Sequence, residues 1–185
     1  MVIFHPSDKT PLNVGRWPIW RGQEVTLAAV EVEGRPHITQ PPASIQHSLQ
    51  ARLGDGILFL GYDLSATEVI PGGSLRLVLY WQALARMDTS YTVFTHLIDE
   101  EGEIWGQKDN VPGEWTLPTT SWVEGEYITD RYEIPVKEDA PPGRYWIEIG
   151  MYNASTGARL PVYDEEGKAL GDRLLLEGTS IRVVP

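Results

Sequence analysis

The chain of 185 residues contains no cysteine, which excludes disulfides, thiolate catalysis and cysteine-ligated zinc. It leaves the redox compartment open, because proteins of oxidising compartments also do without cysteine. Basic residues are scarce: 15 Lys and Arg against 26 Asp and Glu give a formal net charge of −11. A surface of that sign repels phosphate backbones and anionic headgroups, so no nucleic-acid partner is expected. No apolar run approaches the ~18 consecutive residues that cross a bilayer, so no direct membrane insertion is expected. Residues 1–15, MVIFHPSDKTPLNVG, lack the basic start and the apolar stretch of a secretory signal. A cytoplasmic protein and a piece of a longer polypeptide are both compatible with that. Amphipathic helix periodicity is missing too, which disfavours parallel folds that need crossover helices. There is no G-x-S-x-G, Walker loop or H-E-x-x-H, so no catalytic residue, metal ligand or cofactor is assigned.

What the chain does have is 18 Gly, 14 Pro and 10% aromatics, the composition of short strands joined by tight turns. From Ile57 the segments ILFLGYDLS, LRLVLYWQAL, YTVFTHLI, EIWGQK, EYITDRYEIPV, RYWIEIGMY, ARLPVY and LLLEGTSIRVV follow one another between turn signals. Leu75, Leu77, Leu79 and Trp81 alternate onto one face of their strand. Strands at such short intervals predict an all-β, antiparallel immunoglobulin- or fibronectin-like sandwich of about seven to nine strands over residues 57–185. Residues 35–56 are Pro-rich and aperiodic, and read as a linker. Residues 1–34 read as irregular with one strand, Val25 to Val32. Because 22–34 resembles 171–183, that strand reads as an edge strand or as the end of a preceding repeat.

Few side chains point to chemistry. The two DEEG stretches, 99–102 and 164–167, lack the alternating spacing that wraps carboxylates around calcium, and they read as solvated turns. His96 shares a strand face with Thr92, Phe94 and Ile98, and reads as a packed, hydrogen-bonded histidine. Asp130 falls on the face of Ile128, Tyr132 and Ile134, where a carboxylate needs a partner. Arg76, His96 or backbone N–H groups are the candidates, with His96 and Asp130 as the buried polar pair to look for. The long loop 109–125 carries Trp115 and Trp122, with Trp105 upstream. Indole faces stack on sugar rings or partner surfaces, but the first reading of Trp115 and Trp122 is that they cap the open edge of the sandwich. In RYWIEIGMY, Tyr145, Ile147, Ile149 and Met151 point inward, leaving Trp146 and Tyr152 as contact candidates and Gly150 as room for a neighbour. A hydrolase would need two acids in one cleft, and Asp109, Glu114, Glu124 and Glu126 are the ones to locate.

The runs LGYDLS, PGGSLRLVLYWQAL, YTVFTHLIDEEGEIWGQKD, PTTSW-x-x-GEYITDRYEIPV, DAPPGRYWIEIGMYNASTGARLPV and GDRLLL resemble a bacterial extracytoplasmic β-sandwich domain. Such domains are attached to membrane proteins similar to family-39-type, dolichyl-phosphate-mannose-like glycosyltransferases. The resemblance covers about Leu60 to the C-terminus. It implies a non-catalytic accessory module on the extracytoplasmic face of a bacterial membrane. Its partner would be a glycan, another protein or the rest of the parent membrane protein. The catalytic acids of that family lie in membrane helices and have no counterpart here. A purely structural spacer and an uncharacterised glycoside hydrolase are the alternatives.

Overall fold

The computed structural model describes residues 34–185. By its contacts the chain divides into Met1–Pro36 and His37–Pro185, and the architecture below belongs to the second unit. The strand expected over 25–32 lies outside the described residues. The second unit is an all-β sandwich, with twelve strands among the described residues. One sheet runs in the order β10 (Ala169–Gly171), β9 (Val162–Tyr163), β1 (His47–Leu53), β2 (Ile57–Leu64), β4 (Ser74–Ala83), β7 (Tyr127–Pro135). The other runs β3 (Glu68–Val69), β12 (Ile181–Val183), β8 (Gly143–Asn153), β5 (Tyr91–Ile98), β6 (Ile104–Asn110), with β11 (Leu174–Leu175) also paired to β8. Pairing is antiparallel except between β3 and β12.

The core follows from alternation. Leu75, Leu77, Leu79 and Trp81 of β4 are all buried, and Trp81 packs on Phe59 of β2 with ring centroids 5.0 Å apart. They meet Tyr145, Ile147, Ile149 and Met151 of β8, and Val93 and Leu97 of β5. The β5 register pairs Val93 with Met151 and Leu97 with Ile147. Residues opposed across an antiparallel ladder share a face, so Thr92, Phe94, His96 and Ile98 lie on the outer side of this sheet.

The sandwich begins before the expected boundary at residue 57. The segment 47–53, read as linker, is β1: it pairs with β2 and β9 and buries Ala51 and Leu53. Only those two of its residues are fully buried, so the apolar period was too weak to read; the strand is held by its neighbours. Residues ahead of it are also tied down. Tyr127 N–H donates to the Ile38 carbonyl at 2.7 Å, and Gln46 accepts from Leu64 N–H at 2.8 Å. The two DEEG stretches are turns of one design: Asp99 accepts from the N–H groups of Glu101 and Glu103, and Asp164 from those of Glu166 and Lys168.

Candidate functional site

The connection between β6 and β7 crosses the open edge of the sandwich. Its distal half is tightly held. Thr119 Oγ1 donates to the Thr89 carbonyl at 2.7 Å and accepts from Tyr91 N–H at 3.0 Å. The Trp122 indole donates to the Leu117 carbonyl at 2.9 Å, and Trp122 is 1% exposed. Trp122 therefore caps the core and is closed to any ligand. The proximal half is different. Gly113, Glu114 and Trp115 have φ of 65°, 53° and 74°, three successive residues in the left-handed region. That conformation costs about 1–2 kcal/mol for each residue with a side chain, and for a bulky residue it is a real outlier. Trp115 is 66% exposed.

A groove of about 590 Å³ lies beside this turn, with Lys108, Asn110, Glu114, Trp115, Arg131 and Glu133 among its lining residues. Glu133 already accepts a hydrogen bond from Ser74 Oγ at 2.8 Å. The groove thus joins one open indole to both donors and acceptors. Directly behind it lies Asp130, 0% exposed, which accepts from Gly113 N–H at 2.8 Å and from Tyr132 Oη at 2.6 Å. Burial raises its pKa above the ordinary value, against the pull of those two donors. The Tyr132 hydroxyl is pushed well above its usual range by burial and by the Asp130 charge.

The expected His96–Asp130 pair does not exist, because the two residues face different interiors. Asp130 lies on the inner face of β7, whereas His96 lies on the outer face of β5 and finds its partners there. His96 Nδ1 is 2.9 Å from Glu148 Oε1, and Nε2 is 3.6 Å from Asp109 Oδ1. Glu148 Oε2 is 3.0 Å from Arg173. Burial works against the imidazolium, yet the nearby Asp109 carboxylate and the hydrogen-bonded Glu148 prevail and push its pKa up to about 9. Glu148 is held low, chiefly by the bond to His96, against burial. Tyr152 donates to Asp109 Oδ2 at 3.3 Å, and Arg159 covers the Phe94 ring at 4.3 Å. Tyr152 is thus part of a charged cluster that seals the outer face.

The remaining indoles divide. Trp105 donates to Asp99 Oδ2 at 2.7 Å and lies 5.3 Å under the Lys137 ammonium, so it braces a hairpin. Trp146 lines a second groove of about 630 Å³ between Asp99–Gly102 and a wall of Arg173, Leu175 and Glu177. The four acids considered for a hydrolase take separate places. Asp109 belongs to the His96 cluster, Glu126 is buried against His37 and the Val123 N–H, and Glu114 and Glu124 are exposed. Of the partners considered for Asp130, backbone N–H is the one found, at Gly113; which amide it is, and Arg173 at the end of the His96 cluster, carry no local signal. The outward placement of Glu148 opposite His96 was the one available clue.

No protein-family model matches the chain, and no curated protein matches it in sequence. Solved structures share its general architecture at low identity. The C-terminal domain of wzt is 9% identical, with a TM-score of 0.48, covering 80% of this chain and 83% of that one. A Niemann-Pick type C2 protein from Japanese carpenter ant is 8% identical, with a TM-score of 0.41, covering 72% and 95%. The Pseudomonas fluorescens alkylpurine DNA glycosylase AlkC is 12% identical, with a TM-score of 0.42, covering 71% of this chain but 31% of that one. At these scores the likeness carries no statement about activity.

Proposed function

We propose that this domain is a non-catalytic accessory module that holds a saccharide against Trp115. The observation that carries the reading is a 66% exposed indole kept on left-handed backbone beside a polar groove. Backbone strain of this kind persists only where the surroundings over-determine it, and it clusters at ligand contacts. A sugar ring offers its C–H face to the indole and its hydroxyls to the rim. Lys108, Asn110 and Arg131 donate to those hydroxyls, and Glu114 accepts from them. The lining carries two cations, Lys108 and Arg131, and two carboxylates, Glu114 and Glu133, a balance that favours a neutral sugar over a polyanionic one. A spacer with no ligand predicts that Trp105, Trp115 and Trp122 are all buried, and Trp115 does not fit that prediction.

In this reading the module works outside the membrane as part of a larger glycosyltransferase-like membrane protein, a placement that rests on the family resemblance of residues 60–185. Upstream transmembrane segments in the same reading frame are the expected finding, and a reading frame that encodes this domain alone would contradict it. Calorimetry against neutral cell-wall and exopolysaccharide fragments tests the binding. Millimolar or tighter affinity is expected, about −4 kcal/mol or more favourable. Absence of heat at millimolar ligand, with unchanged Trp fluorescence, rejects the glycan reading in favour of a protein partner or a spacer.

A further inference from the structure

We propose that Asp130 is the positioning residue for Trp115: its buried carboxylate fixes the left-handed turn that presents the indole to the groove. This rests on Trp115 being the contact residue of the preceding section. Asp130 occupies an inward position of β7, between Ile128 and Tyr132, both buried. An apolar residue would suit that alternation, and a carboxylate without compensation is costly there. No cation bonds it. One of its oxygens takes the Tyr132 hydroxyl, and the other takes the N–H of Gly113, the first residue of the turn, 17 positions away in sequence.

The turn is clamped from its other side as well. A Cβ on Gly113 would sit 2.7 Å from Leu117 Cγ, so the chain there already lies against a side chain packed on the core. The Gly113 carbonyl is engaged too, accepting from Thr116 Oγ1 at 2.6 Å and from Thr116 N–H at 3.1 Å. The anchors at Thr119 and Trp122 hold only the distal half of the connection. Asp130 is the attachment between the turn's first amide and the sheet. Within the turn Trp115 N–H donates to the Val111 carbonyl at 3.0 Å and Leu117 N–H to that of Pro112 at 2.9 Å, bonds that close the turn on itself. Without Asp130 the closed turn loses its tie to β7, and the indole loses its fixed direction relative to the groove.

Amide hydrogen exchange on the complete chain tests this without any saccharide, so its outcome is independent of the glycan reading. Three variants are compared. D130A removes the acceptor, and D130N keeps an acceptor oxygen without the charge. The double variant D130L/Y132F removes the carboxylate together with the Tyr132 hydroxyl, so that the hydroxyl is not left buried without its acceptor and the loss falls on the Gly113 N–H. The Gly113 amide is expected to exchange at least about tenfold faster in D130A and in the double variant, with β4 and β8 still protected. D130N should retain most of the wild-type protection. If D130A does not fold, the double variant decides. Unchanged exchange at Gly113 in the double variant overturns the proposal. So does a uniform loss along β4 and β8, which marks a purely structural role. As the functional arm, a neutral β-glucan oligosaccharide is titrated into wild type, D130L/Y132F and W115A. Weakening by both changes supports the positioning role. Weakening by W115A alone overturns it, and no effect of W115A overturns the glycan reading instead.

Discussion

At Trp115 and His96 single side chains carry consequences that can be measured. Trp115 is exposed and sits on strained backbone, so its removal should cost the fold almost nothing. Trp115→Gly relieves the left-handed penalty of about 1–2 kcal/mol but adds unfolded-chain entropy worth roughly 0.5–1 kcal/mol. The expected net is zero to about 1.5 kcal/mol of stabilisation, read from urea midpoints; a loss above about 1 kcal/mol contradicts an open indole. Trp122→Ala, by contrast, empties a fully buried site and should cost about 3–5 kcal/mol. His96 is raised from its ordinary 6.5 to about 9, so the folded state holds its proton more tightly than the unfolded state. Its contribution is fully present below pH 6.5 and is lost as pH rises towards 9, on the order of 3 kcal/mol. Glu148 has the opposite sign: its contribution is present above its ordinary 4.5 and is lost as pH falls. Denaturant midpoints at pH 6 and pH 9.5 should differ in the wild type and converge in His96→Gln. Equal pH dependence in both would remove His96 from the account. At Gly150 a Cβ would come within 2.4 Å of the Phe94 ring and 3.1 Å of the Asp172 carbonyl. Gly150→Ala should therefore cost about 1–3 kcal/mol by overpacking.

Strands differ in how plainly their residues announce them, and the reason is where each strand is stabilised. In β4 and β8 the alternation of large apolar side chains is strong enough to be read directly, down to the inward set of Tyr145, Ile147, Ile149 and Met151. In β5 both faces are buried, so Val93 and Leu97 compete with Phe94 and Ile98, and the period cannot say which set lies between the sheets. That ambiguity produced the mistaken His96–Asp130 pair. A buried polar residue needs a partner, but it can be buried in two different places. β1 is the opposite case: with few buried residues of its own, it exists because β2 and β9 offer ladder partners. The Trp115 turn was illegible for another reason. Residues 111–115, VPGEW, suggest a turn at Gly113, but nothing local predicts left-handed backbone at Glu114 and Trp115. That conformation is imposed by Asp130 and Leu117. A chain shortened to residues 57–185 should therefore fail to unfold cooperatively, because it lacks β1, whereas 37–185 should melt as one transition. Circular dichroism melts of the two decide it, and cooperative folding of 57–185 would return residues 35–56 to the role of a linker.

The whole sandwich presents its surfaces unequally. Arg159, Tyr152 and the Asp109–His96–Glu148–Arg173 chain close the outer face of the second sheet around Phe94. The open edge between β6 and β7 is closed by Trp122 at one end and carries the exposed Trp115 at the other. An acidic chain of net charge −11 repels polyanions at long range, whereas the neutral saccharide proposed for the Trp115 groove meets no such barrier. Binding at such a site should change little with ionic strength, since stacking and hydrogen bonds between uncharged partners are weakly screened. Isothermal titration of neutral cell-wall and exopolysaccharide fragments into wild type and Trp115→Ala, with both confirmed folded by their melts, tests the saccharide contact at Trp115 most directly. Saturable heat is expected for the wild type, and at least about tenfold weaker binding in the variant, equivalent to about 1.4 kcal/mol. Equal affinity in the two proteins, or no binding in either, would contradict that contact.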